Sequence, residues 1–86
     1  MTNPIRAALD KAAEALWQAE SLRAAGRPRL TEWRDESEDT RQKWRFMAAH
    51  GNAAFLRALP TTDPTFFAQL HTLAEAVLAA AKEDQK

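Results

Sequence analysis

All three tryptophans and six of the eight arginines of this 86-residue chain fall between residues 17 and 45. In order they are Trp17, Arg23, Arg27, Arg29, Trp33, Arg34, Arg41, Trp44 and Arg45. An indole offers a flat stacking surface and a seat for a cation over its face. A guanidinium adds a fixed charge and a planar fork that matches phosphate or carboxylate. Together such groups can grip a nucleobase and its phosphate, or anchor a protein partner as a hot spot. The competing reading is that the indoles fill the core and the arginines cover them with their aliphatic stems. Trp17, Arg23, Arg27, Arg29, Trp33, Arg41, Trp44 and Arg45 are the candidate ligand- or partner-binding residues.

Groups suited to catalysis are sparse. An enzyme needs a positioned acid, base, nucleophile or metal. The chain has no cysteine, and its two histidines, His50 and His71, stand far apart. His50 falls in the last turn of an expected helix, where an imidazolium suits the negative end of the dipole. His71 lies at the edge of an apolar stripe. Asp35, Glu36, Glu38 and Asp39 cluster at a helix start, where acids stabilise the dipole. With only Gly26 and Gly51, there is no phosphate-cradling glycine loop, and no metal-binding pattern is present. The expectation is no enzyme, no metal and no cofactor.

Twelve basic and twelve acidic residues cancel, but in blocks. Arginines dominate from Arg23 to Arg34, acids from Asp35 to Asp39, and bases again at Arg41, Lys43, Arg45 and Arg57. Zero net charge argues against bulk nucleic-acid binding. No charged head followed by an apolar stretch opens the chain, and Gln69, His71 and Glu75 interrupt the alanine-rich C-terminal part. A cytoplasmic protein without a membrane span is expected.

These side chains must be positioned by helices, since no stretch alternates with period two. Asn3-Pro4 is a cap followed by a proline suited to the first helical position. Ile5, Leu9, Ala12, Leu16 and Ala19 then form one stripe with Trp17 beside it, and Gly26 stops the helix, predicting residues 4–25. Residues 26–36 form an irregular connector that Trp33 should pin to the core. Ser37 caps a second helix bearing Trp44, Met47 and Ala48, which Gly51 should end. Asn52 should then cap a short third helix with Phe55, Leu56 and Leu59, closed by Pro60. Thr61-Thr62-Asp63-Pro64 starts the last helix, with Phe66, Phe67, Leu70, Leu73, Val77 and Leu78 in helical period. The predicted fold is all-α: one domain over 1–86, about four helices, two long and two short. Its expected core is Leu9, Leu16, Trp44, Phe55, Leu56, Leu70 and Leu73.

Four segments carry a family likeness: Glu14-Ala15-Leu16-Trp17-Gln18-Ala19-Glu20, Arg23-Ala24-Ala25-Gly26, Leu30-Thr31-Glu32-Trp33, and Glu38-Asp39-Thr40-Arg41-Gln42-Lys43-Trp44-Arg45. Over roughly residues 9–48 the chain resembles the ryanodine-receptor repeat family, most of all its short phage and prophage forms. The family's first-helix histidine has no counterpart, since Leu16 stands in that neighbourhood, and Glu32 replaces the proline before Trp33. The resemblance implies a binding module, the receptor repeats being implicated in adenine-nucleotide binding, and a host-cell cytoplasmic location for a phage-encoded form.

Three readings follow. In the first, a nucleotide-like anion lies between the connector and the second helix, with Trp33 or Trp17 stacking and Arg27, Arg29, Arg41 and Arg45 on phosphate. In the second, the chain binds protein: a host protein that it inhibits, or its own copy through alanine-rich helix faces. In the third, helices on either side of Gly51-Asn52 form a helix-turn-helix DNA binder, although the segment 53–59 is too apolar to read base edges well.

Overall fold

The computed structural model describes residues 3–82. It contains three α-helices: α1 (Pro4–Ala25), α2 (Glu38–Ala58) and α3 (Pro64–Lys82), with a single 3-10 turn at Trp33–Asp35 inside the connector. No strand occurs among the described residues.

The helix ends follow from local chemistry. Asn3 Oδ1 accepts from the Ile5 amide at 2.9 Å, and Pro4 opens α1. Gly26, at φ 71°, donates its amide to the Leu22 carbonyl and closes the helix in the left-handed conformation glycine tolerates. Ser37 Oγ accepts from the Thr40 amide at 3.1 Å to cap α2, with Glu38 and Asp39 in the first turn. Asp63 Oδ1 accepts from the Thr65 amide at 2.9 Å ahead of α3.

The expected break at Gly51 does not occur, so the helices number three and not four. α2 runs through Gly51 to Ala58, and Asn52, instead of capping a new helix, donates its Nδ2 to the Ala48 carbonyl one turn back. A glycine inside a helix costs only ~1 kcal/mol relative to alanine. The buried face formed by Ala48, Ala49 and Ala53 spans the glycine, and its packing outweighs that cost. The helix ends where Leu59 turns extended (ψ 123°) ahead of Pro60.

The core also differs from expectation. Leu9, Trp44 and Leu70 are buried and Leu56 is half-buried, but Leu16, Phe55 and Leu73 are exposed. The α1 line that faces inward is Leu9, Ala13 and Trp17, at a spacing of four, with Ile5 and Ala12 packed beside it. Trp17 has far more apolar surface to remove from water than Leu16. Burying it rotates α1 and leaves Leu16 at the boundary. Seven of the twelve buried apolar residues are alanines, which let the helices approach closely.

α2 lies against both α1 and α3. Pro4 and Ile5, the first residues of α1, share a groove with Asn52, Phe55, Leu56, Leu73 and Val77. α1 therefore begins short of the α2–α3 turn, and the end of that hairpin extends beyond the third helix. The radius of gyration, 14.6 Å, correspondingly exceeds the ~12 Å of a compact chain of this length.

Candidate functional site

The connector is laid against α1 by its own polar groups. Ser21 Oγ donates to the Arg27 carbonyl at 2.8 Å, and the Arg29 amide donates to Gln18 Oε1 at 3.0 Å. Arg29 Nε donates to the Trp17 carbonyl at 3.3 Å, which places its guanidinium carbon 5.0 Å from the centre of the Trp17 ring. Trp17 also meets Trp33, ring centres 5.5 Å apart and tilted by 60°. Trp17 is 1% exposed, Trp33 6% and Trp44 9%. The Trp17 indole N–H finds no acceptor among the described residues.

A polar chain continues from Trp33. Its Nε1 donates to Asp10 Oδ2 at 3.2 Å, and Asp10 Oδ1 accepts from Arg45 Nη1 at 3.0 Å. Arg45 Nη2 donates to Glu38 Oε1, and the second oxygen of Glu38 holds Arg41 Nη2 at 2.9 Å. Arg45 is the one buried charged residue among those described, 3% exposed. An interior guanidinium is tolerable only when carboxylates satisfy it. Asp10 and Glu38 do so while each keeps part of its own side chain in water.

Of the eight candidate residues, Trp17, Arg29 and Trp33 pack into one group, and Arg41 and Arg45 join it through Glu38 and Asp10. Trp44 is core, with Lys43 Nζ 5.9 Å from its ring centre. Arg23 and Arg27 stand apart in solvent. Arg23 holds Glu20 through Nε at 3.0 Å, and that hydrogen bond lowers the Glu20 pKa and raises that of Arg23. Arg34, exposed, pairs with Glu32 at 2.6 Å. Asp10, the acceptor at the centre of the polar chain, is not among the residues that composition and spacing single out. Its only signal is an acid directly beside the inward-facing Leu9.

One groove borders this group and another lies apart from it. A polar one of about 590 Å³ runs between α1 and the connector, lined by Glu14, Gln18 and residues 29–34. Its two arginines face two carboxylates, Glu14 and Glu32. It lies against α1, not against α2, and Arg41 and Arg45 take no part in it. The other is the apolar groove at the start of α1, about 490 Å³, where Phe55, Leu56, Leu73 and Val77 face Ile5 and Ala8. All four phenylalanines are exposed, Phe55 by 63%. Phe46 packs against His50 and Phe67 against His71, each pair tilted with ring centres 4.2 Å apart. Among the described residues no group of three His, Cys, Asp or Glu side chains could hold a metal ion, and no helix is long and apolar enough to cross a membrane.

Compared with known proteins, the chain matches no family model, no curated protein and no solved structure.

Proposed function

We propose that this chain is a non-catalytic protein-interaction module that docks through the hairpin end of α2 and α3. One observation carries the reading. Between Ala53 and Ala74 only Arg57 and Asp63 are charged, and the same stretch exposes Phe55, Phe66, Phe67 and Leu73. Phenylalanine is among the residues most often buried in a folded chain. Loss of charge together with exposed aromatic side chains is the composition of an interface centre. The indoles and the inner guanidinium groups, by contrast, are already engaged within the fold.

The test uses the chain as immobilised bait beside a Phe55→Glu/Phe66→Glu variant. The wild type should retain a discrete protein, its own second copy included, that the variant loses. Equal recovery on both baits would refute the reading.

A second reading keeps a small-molecule ligand, favoured by the convergence of Arg29, Trp33 and Arg34 on the polar groove. With Glu14 and Glu32 opposite, that groove suits a zwitterionic or weakly charged molecule better than a polyphosphate. Reaching phosphate with Arg41 or Arg45 would mean taking them from Glu38 and Asp10, and Arg45 would also have to leave the interior. A nucleotide panel that raises the melting temperature, with the rise lost in Arg29→Ala, would support it. The DNA-binding reading loses its turn, because α2 is continuous through Gly51.

A further inference from the structure

We propose that the occupant of the hairpin end is a second copy of this chain, the two α2–α3 ends packing about a twofold axis into a four-helix cluster. The inference rests on the protein-interaction reading and adds the identity of the partner.

The first turn of α1 meets the hairpin at Phe55 and Leu73, and an apolar groove of about 710 Å³ runs along α3 from Pro64 to Ala76 with Ile5 as the one α1 residue in its lining, so α1 covers little of that face. Leu73 borders this groove and the one at Phe55, and Phe55, Phe66 and Leu73 all keep much of their surface in solvent. A twofold contact places one patch against itself, so the patch must not repel its own image. This stretch meets that condition, since its two charges, Arg57 and Asp63, are opposite in sign. The rest of the surface, with its blocks of arginine and acid, would set like against like in many self-pairings.

The shape is self-complementary as well. The groove between Phe55, Leu56 and Leu73 is an apolar hollow, and Phe66 is an apolar projection on the same hairpin. In a twofold arrangement the Phe66 of each copy enters the hollow of the other. The large side chains supply about half the area of a standard interface. Aromatic side chains present ~150–250 Å² each, so half-exposed Phe55, Phe66 and Phe67 with Leu73 supply about 400 Å². Their smaller neighbours, among them Pro64 and Ala68, bring the patch toward the ~800 Å² per partner of a standard interface.

The experiment is sedimentation equilibrium and light scattering on the full chain across a dilution series, with Phe55→Glu and Phe66→Glu each compared with Phe46→Glu. The wild type should approach twice the 9.6 kDa of one chain at high concentration. Each hairpin variant should weaken the dimer about ten-fold or more, as expected for losing one central aromatic anchor. Far-UV circular dichroism should stay unchanged, and Phe46→Glu should leave the mass as in the wild type. A wild type that remains at 9.6 kDa, or a dimer that both hairpin variants leave intact, overturns the proposal. A monomer that binds an apolar dye at the hairpin, lost in Phe66→Glu, overturns the second copy and leaves another protein as occupant. A monomer that binds none overturns both readings.

Discussion

Asp10→Ala should be among the most damaging single changes outside the apolar core. The substitution removes the acceptor for two donors: Trp33 Nε1 at 3.2 Å and Arg45 Nη1 at 3.0 Å. Losing a hydrogen bond to a charged group costs about 1.5–3 kcal/mol, and a buried donor left behind adds about 1–3 kcal/mol. Two circumstances reduce that total. Glu38 still holds Arg45, and the Asp10 side chain is 44% exposed, so water can enter the vacated place. A loss of about 2–3 kcal/mol is expected, against a total stability of ~4–13 kcal/mol for a domain of this length. That corresponds to a fall of roughly 10–20 °C in Tm. Arg45→Met is the informative partner. It removes the buried cation and leaves two half-exposed carboxylates that hydrate readily, so it should cost less, about 1–2 kcal/mol. Urea unfolding followed by tryptophan fluorescence and circular dichroism measures both, with an unchanged m-value confirming the two-state comparison. If Arg45→Met proves the more damaging, or Asp10→Ala is neutral, the polar chain does not hold the connector as argued.

Gly51→Ala should stabilise the protein by about 0.5–1 kcal/mol, because the position is helical and a Cβ there meets nothing within 4 Å. Gly26→Ala, at φ 71°, should instead destabilise by roughly 1–2 kcal/mol, and paired denaturation curves distinguish the two signs. Arg23→Ala should return the Glu20 pKa upward toward its ordinary value in a carbon-detected NMR titration. The lowered pKa of Glu20 implies a stabilising contribution present above the unfolded-state value and lost as pH falls through the folded one. Both groups are exposed, so Tm at neutral pH should scarcely move in that variant.

Much of the scaffold was legible because its signals are local. Asn3-Pro4, Gly26, Ser37 and Asp63-Pro64 act within a turn of their own positions, and the ends they predict agree with α1, with the start of α2 and with that of α3. Gly51 does not end its helix, because a glycine's effect depends on what the flanking turns bury, and the Ala48, Ala49 and Ala53 face is recognisable only once its packing partners are placed. The α1 stripe was read one position round the helix for a related reason. Leu16 and Trp17 both belong near the boundary of the periodic pattern, and the tertiary partners Trp33 and Arg29 decide which turns inward. The arginine and tryptophan cluster was visible by composition, but its direction was not, since Asp10 lies 35 positions before Arg45 along the chain.

The small side chains between the helices have a further consequence, for the directions in which this chain can vary. Ala13, Ala49 and Ala74 have no accessible surface at all. Apart from glycine, every replacement at these three places adds atoms to a fully enclosed position, and overfilling costs typically ~1–3 kcal/mol. Descendants of this sequence should therefore drift freely along the outer faces of the helices while these three places stay alanine or glycine, whatever partner the molecule serves.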